Sequence, residues 1–296
     1  MVRVLGIGDN TVDIYVDQGV QFPGGNAVNI AVLTRRLGAL SAYLGCIGTD
    51  FLGGMIRAAL VAEDIDISHL RVVAGPNSWS RIRHRGNDRF FDGSHPSLRE
   101  DYQLQDVDFA YVAGFDLAHS SIYSRLEDEL PRLHAAAPLL SFDYSSEYDA
   151  AYIARTAPHL DIAFLSDAGG DEEACRSLAR LVASYGPSQV VITRGALGAL
   201  AFDGNEFLSQ GIVAADVVDT LGAGDGFIAG FLMARLHGQP VSAALVRGAE
   251  CAGQVCSYRG AFGHEAPLRP GQPGLIKPQE EAGNGQACVA NREEEP

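Results

Sequence analysis

Short apolar, β-rich runs recur at residues 2–7, 43–46, 109–112, 139–143, 162–165 and 190–193. Amphipathic stretches of helical spacing separate most of them, at 27–37, 55–62, 126–136 and 174–185. Consecutive strands can pair in parallel only through a long crossover, and a helix is the usual one. The alternation therefore predicts an α/β fold: a doubly wound, mainly parallel central sheet with helices on both faces. In such a sheet ligands bind outside the carboxyl ends of the strands. A length of 296 residues suits one large α/β domain with a small appendage as well as two ordinary domains.

The appendage has a candidate. Residues 71–103 break the rhythm with turn signals at Pro76-Asn77, Gly86-Asn87 and Asp92-Gly93, around the strand-like run from Ser78 to Arg85. With residues 12–18, this segment is expected to form a small β lid that excludes water from a reactive centre; a surface hairpin without function is the alternative. Residues 266–296, rich in Pro, Gly, Gln and Glu, carry too little apolar surface to offset the entropy of ordering and are expected to form a disordered acidic tail. This leaves 1–265 as the folded domain.

A formal charge of −15 opposes broad attraction to nucleic acid or anionic membranes, since phosphate binding needs clustered Lys and Arg. No apolar run approaches the roughly 18 residues of a membrane span. The first residues run directly into a strand-like segment without the features of a signal peptide, so a cytoplasmic location is expected. The cysteines, Cys46, Cys175, Cys251, Cys256 and Cys288, lack zinc-like pairing and read as reduced structural thiols. A small-molecule substrate fits this composition best.

The most informative stretch runs Asp219-Thr220-Leu221-Gly222-Ala223-Gly224-Asp225-Gly226-Phe227, followed by Ile228, Phe231 and Leu232 at helical spacing. Small residues at 222–224 let the backbone approach an anion, and a helix opening there would turn free amides and its positive dipole end toward it. Asp225 could then take the proton of an attacking hydroxyl held in line with a phosphate. Read alone, the same residues also fit an Asp-capped helix after a tight turn. The stretch lacks the Gly-Lys-Ser/Thr of a P-loop, and residues 6–10 do not complete a dinucleotide G-x-G-x-x-G, which argues against an oxidoreductase.

The stretch from Asp219 to Asp225, continued through Phe227, Gly230 and Phe231, resembles the C-terminal signature of ribokinase-like (PfkB-type) carbohydrate kinases. Gly8-Asp9-Asn10, Asp13 and Gly24-Gly25-Asn26-Ala27-Val28-Asn29 are similar to that family's sugar-binding region. The resemblance covers residues 1–262 and implies the family's fold, with ATP and Mg²⁺ as cofactors and a monovalent cation as a further candidate. It implies an anion hole at Gly222, Ala223 and Gly224 with Asp225 as catalytic base. It also implies substrate contacts from Asp9, Asp13, Gly25, Asn26 and Asn29. Thr193-Arg194-Gly195-Ala196-Leu197-Gly198 resembles the nucleotide loop, so Thr193, Gly195 and Gly198 are expected near ATP, with Thr220, Gly222 and Gly224. A homodimer through the lid is a further candidate.

One departure concerns the metal. The family's Asn-x-x-Glu is replaced here by Ser166-Asp167-Ala168-Gly169-Gly170-Asp171-Glu172, in which Asp171 or Glu172 could supply the acid, Glu172 being the candidate ligand; either also fits a helix start. Within the family, Ile7 to Tyr15, Asp64 to His69, Asn87-Asp88-Arg89, Ser141-Phe142-Asp143 and Pro158 to Asp161 are similar to kinases of the fructoselysine 6-kinase type. That likeness implies transfer of the ATP γ-phosphate to the 6-hydroxyl of a fructosamine such as fructoselysine. Arg81, Arg83 and Arg85 alternate along the expected lid strand, so one of them, with Arg83 the candidate, could bind the substrate's carboxylate through its planar fork; a solvated lid face is the alternative. Another ketose, a sugar acid or a nucleoside as substrate, and a non-catalytic sugar-binding regulator, remain open at this stage.

Overall fold

The structure, a computed structural model, describes residues 1–85, 88–96, 102–272 and 275. The main sheet uses strands β1 (Arg3–Gly8), β4 (Leu40–Gly48), β5 (Arg71–Val73), β8 (Leu117–Ser121), β9 (Leu140–Asp143), β10 (Ile162–Ser166), β11 (Gln189–Thr193), β12 (Ala199–Phe202) and β13 (Phe207–Gln210). Their spatial order is β13-β12-β11-β10-β9-β8-β1-β4-β5, parallel from β11 to β5, with β12 and β13 antiparallel at one edge. The chain builds outward from β1 through β4 to β5, then returns to β8 on the other side of β1. The strand order thus reverses between β1 and β8, where a doubly wound sheet opens a crevice.

Alternation along each strand feeds two cores. Val4, Phe164 and Val191 pack on one face with helices α1 (Asn26–Arg36), α2 (Phe51–Ala62), α7 (Ala223–Leu236) and α8 (Val241–Val255). Leu5, Leu165 and Ile192 pack on the other with α3 (Asp106–Val112), α4 (Leu130–Ala136), α5 (Ala150–Thr156) and α6 (Glu172–Tyr185). The expected doubly wound, mainly parallel sheet is the observed one. Gly6 brings α1 flush onto β1: a β-carbon there would lie 2.1 Å from the Ala27 carbonyl oxygen.

The lid is a second sheet of five strands in the order β14 (Ala266–Pro267), β3 (Val20–Gly24), β2 (Thr11–Tyr15), β6 (Trp79–Arg85) and β7 (Asp88–His95). It corrects the expected composition in three places. Residues 71–73 belong to the main sheet, where β5 pairs with β4 from Cys46↔Arg71 to Gly48↔Val73. Strand β3, interrupted by Pro23 and flanked by Gly24 and Gly25, joins the lid beside β2. Residues 266–272 dock onto the lid: Ala266 pairs with Gln21, and the buried Gln272 Nε2 donates to Gln21 Oε1 at 2.8 Å. The remainder of the expected tail, 273–274 and 276–296, lies outside the described residues, as do Gly86, Asn87 and 97–101 of the expected lid.

Residues 109–112 are helical, and the strand expected there lies at Leu117–Ser121. Phe109 and Val112 are one turn apart and face the same core, and the Asp108 carboxylate accepts from the Gln105 amide at 2.8 Å, as at a capped helix start. The true strand escapes a search for apolar runs because His119, Ser120 and Ser121 occupy its buried positions. The helix expected at 126–136 is α only from Leu130, after a short 3-10 turn.

Candidate active site

The crevice at the carboxyl ends of β1, β8 and β9 is where the polar residues gather. Asp9, just past β1, is 2% exposed and caps α1: its carboxylate accepts from Asn26 N at 2.7 Å and Ala27 N at 3.3 Å. Ser121 and Ser124 hydroxyls also donate to it, at 2.9 and 3.0 Å. Both of its oxygens are engaged by the protein, so Asp9 orients α1 from beneath the crevice. Gly25, the residue before α1, has φ 104°, and a β-carbon there would lie 2.5 Å from Asn10 Cα. Its glycine is demanded by the protein's own backbone.

Asn26 and Asn29 are three apart and share one face of α1. Both donate to the same carboxylate: Asn26 Nδ2 to Asp225 Oδ1 at 2.7 Å and Asn29 Nδ2 to Asp225 Oδ2 at 2.6 Å. Asp225 lies in the first turn of α7, whose N-cap is Gly222. Its carboxylate reaches across to α1 instead of capping its own helix, which removes the Asp-cap alternative. Gly222 has φ 77°, and a β-carbon would sit 2.4 Å from Ala261 Cβ; at Gly224 nothing lies within 4 Å and the residue is exposed. Ala223 N bonds Thr220 O at 3.2 Å, while the next amides of the first turn have no intrahelical acceptor. The buried Asp219 ties this loop down by accepting from Leu221 N and Gly260 N, each at 3.0 Å, and from the Tyr15 hydroxyl of lid strand β2.

Asp225 retains partial solvent access yet is packed among protein atoms. That desolvation pushes its pKa up to about 7; the Asn29 amide opposes the rise, and the charges of Asp143 and Asp9 add to it. Asp143, at the end of β9, was not among the expected site residues. It shares the Asn26 amide, accepting from Nδ2 at 3.0 Å, and burial pushes it up to about 7 as well, against the opposing Ser145 amide. Two carboxylates on one NH₂ group titrate as a pair. Its sequence signals were its position, a carboxylate ending an apolar strand, and the family likeness of Ser141-Phe142-Asp143, neither of which assigned it a role.

Asn29 Oδ1 is buried without a hydrogen-bond partner, and a β-carbon on Gly24 would lie 3.8 Å from it and 2.5 Å from Asp13 Oδ2. Asp13 and Asn29 thus bring acceptor oxygens together beside Gly24, and a hydroxyl donor suits the unsatisfied one on Asn29. Arg83 stands elsewhere: its guanidinium donates to Asp92 at 2.6 Å and Asp17 at 3.0 Å, both lid residues. Arg81 donates to the Asp92 carbonyl, and the side chains of Arg85 and Arg89 lie outside the described residues.

On the other side of α7, the Thr193 hydroxyl is 2.9 Å from Ser166 Oγ, and Arg194 N to Gly198 O at 2.7 Å closes the following turn. Gly198 has φ 85°, and a β-carbon there would lie 2.0 Å from Gln210 O, whereas Gly195 has only the Ala168 methyl at 3.5 Å. Glu172 is the first residue of α6 and pairs with Arg176 at 2.6 Å and Arg194 at 3.8 Å. Asp171 caps the helix, and Asp167 accepts from Gly170 N. Among the described residues no three His, Cys, Asp or Glu side chains converge on a cation site.

The pfkB family carbohydrate kinase model matches residues 3–266. The chain belongs to this family. It is 40% identical to fructosamine kinase FrlD of Bacillus subtilis over 90% of this chain and 95% of that one. It is 36% identical to fructoselysine 6-kinase of Escherichia coli over 86% and 98%. The Arabidopsis thaliana ribokinase, solved with ribose and ATP, superposes with a TM-score of 0.76 at 19% identity, covering 88% of this chain and 94% of that one, a likeness of fold. These relatives make the chain an ATP-dependent carbohydrate kinase of the ribokinase-like fold. No helix among the described residues is long and apolar enough to cross a membrane.

Proposed function

We propose that the chain transfers the γ-phosphate of ATP to the 6-hydroxyl of a fructosamine such as fructoselysine, with Asp225 as general base. The observation that carries this reading is the Asp225 carboxylate, held by Asn26 and Asn29 at the opening of α7 beside the unsatisfied Asn29 Oδ1. A sugar hydroxyl donating to Asn29 Oδ1 would satisfy a buried acceptor that otherwise costs the fold on the order of 1–3 kcal/mol. Asp13 takes a second hydroxyl. Asp225 accepts the proton from O6 as the O6–Pγ bond forms and the bond from Pγ to the ADP oxygen breaks. The amides at Gly222, Ala223 and Gly224, at the opening of α7, form the anion hole with the helix dipole behind them, Ala223 N exchanging its bond to Thr220 O for the phosphoryl group. Thr193, Gly195, Gly198 and Thr220 line the nucleotide side.

The 40% and 36% identical relatives support the fructosamine substrate, and their alignment runs over nearly their whole length. The sparse donor set suits Mg²⁺ carried by the nucleotide phosphates and water, with Glu172 contributing only if it releases Arg176. Mg²⁺ there neutralises charge on the phosphate oxygens. A monovalent cation is a further candidate to be tested in the same assay. Exposed Phe90 and Phe91, the latter 64% accessible on outer lid strand β7, support a homodimer through the lid, checked by sedimentation. A cytoplasmic location accords with free buried cysteines.

The test is an ATP/Mg²⁺ assay on fructoselysine, fructose-asparagine, fructose and ribose, with mass spectrometry of the products. Phosphate on O6 of a fructosamine is the expected result. Turnover of a plain sugar alone would remove the fructosamine assignment.

A further inference from the structure

His119 is fully buried in the middle of β8 and takes no part in the proton transfer just described. Its ring meets Phe164 edge to face, with centroids 6.4 Å apart. Nδ1 lies 2.8 Å from Ser141 Oγ on β9, and Nε2 lies 2.9 Å from Asn26 Oδ1 on α1. The chemistry of the neighbours decides which nitrogen carries the proton. Asn26 must turn its NH₂ toward Asp143 and Asp225, because a carbonyl facing two carboxylates would place three acceptors together. Its Oδ1 then faces His119 and needs a donor, so Nε2 carries the hydrogen. Nδ1 is left as an acceptor, and Ser141 Oγ–H donates to it. Burial supports this neutral form by lowering the imidazole pKa to about 3.

We propose that Ser141 and His119 form a positioning chain that anchors the carbonyl end of the Asn26 amide and thereby the placement of Asp225 for catalysis. The proposal deepens the reading of Asp225 as base and rests on it. Asp143 and Asp225 set which end of the Asn26 amide faces them, and the Nε2 donor anchors the other end; without it Oδ1 is a buried acceptor with no partner, the side chain shifts, and its bond to Asp225 is lost, leaving Asp225 held from α1 by Asn29. The groups facing Asp225 are Asn26 and Asn29 from α1, Asp143 from the end of β9 and Asp9 from the end of β1. A displaced amide therefore leaves Asp225 facing like charge with one fewer donor.

The chain predicts a specific rescue. His119→Leu, similar in volume but without a donor, should lower kcat for fructosamine phosphorylation by about 100-fold, the scale of a misplaced reacting group, with KM for ATP nearly unchanged. His119→Gln, whose side-chain amide can donate to Asn26 Oδ1, should restore most of that loss, and the acid limb of its pH profile should return to the wild-type position. Equal impairment of folded Leu and Gln variants, or wild-type kcat in His119→Leu, overturns the proposal. Asp225→Asn separates the two readings: if it keeps full turnover the base assignment fails, whereas an inactive Asp225→Asn beside a fully active His119→Leu sinks the positioning chain alone. ¹⁵N NMR of the wild-type protein gives an arm independent of substrate and of variant folding. A neutral, Nε2-protonated His119 from pH 5 to 9 is expected, and an Nδ1-protonated or charged ring refutes the chain.

Discussion

Replacing Asp143 by Asn removes one charge from the pair and leaves one oxygen where the carboxylate used two, to accept from Asn26 Nδ2 and Ser145 N, a loss that is the same at every pH. Asn26 Nδ2 is 3.0 Å from Asp143 Oδ2 and 2.7 Å from Asp225 Oδ1, so those oxygens are at most about 5.7 Å apart. Two unit charges at that separation repel by about 0.7 kcal/mol in bulk water and about 3 kcal/mol at an effective dielectric constant of about 20. Asp143→Asn should therefore lower the Asp225 pKa by roughly 0.5 to 2. A base must be ionised, so kcat/KM in the wild type should rise through about pH 7 and level off above it, and the variant's rise should come correspondingly earlier. Stability must follow with a definite sign. Carboxyls raised from 3.8 to about 7 bind more protons folded than unfolded, so the wild type loses stability as pH climbs from about 4 to 7. Relative to that constant loss, removing one of them should stabilise the protein at pH 8, by on the order of 2 kcal/mol in urea unfolding, and hardly at all below pH 4. An acid limb and a pH–stability curve both unchanged by Asp143→Asn would refute the coupling.

Asp225→Asn should reduce kcat by roughly 10³-fold while calorimetric ATP binding remains near wild type; ordinary turnover would remove Asp225 as base. Gly222→Ala forces a left-handed φ costing about 1–2 kcal/mol and drives a methyl into Ala261, so it should destabilise by more than that dihedral cost. Adding Ala261→Gly should recover only part of the steric cost, because the backbone Cα at 261 would still lie 2.7 Å from the new methyl, and full recovery would show that neither φ nor that contact is the limit. Arg83→Ala breaks solvent-screened pairs with Asp92 and Asp17, so the unfolding midpoint should hardly move. If Arg83 exchanges a lid carboxylate for the substrate's, KM should rise for fructoselysine and stay constant for fructose; equal effects on both sugars would reject that role.

The alternation of apolar runs and amphipathic helices foretold the parallel sheet because covering a sheet on both faces requires that pattern locally. The Gly222-Ala223-Gly224-Asp225 turn was legible for the same reason: a left-handed φ and a helix opening are properties of a few adjacent residues. Strand β8 was misplaced because its buried His119, Ser120 and Ser121 are polar, and their burial is tolerable only with partners from β1, β9 and α1. Asp143 was given no role, although Ser141-Phe142-Asp143 carries part of the family likeness, because its tie to Asp225 runs through Asn26 and exists only in the fold. Arg83 faced the opposite difficulty: a row of lid arginines suggested a ligand, but Asp17 and Asp92 occupy its fork.

Sequence alone determined the layered α/β architecture, the kinase-like signature and the residues at the two helix openings, because each follows from local spacing and backbone freedom. Only tertiary structure decided what those residues do to one another. Asn26 and Asp225 are far apart along the chain, and their meeting depends on Gly6 admitting α1 to the sheet and on α1 packing beside α7. The raised pKa values of Asp143 and Asp225, the unsatisfied oxygen of Asn29 and the neutral His119 are all consequences of desolvation at that convergence. Desolvation is a property of everything packed around a group in space, and no stretch of sequence carries it.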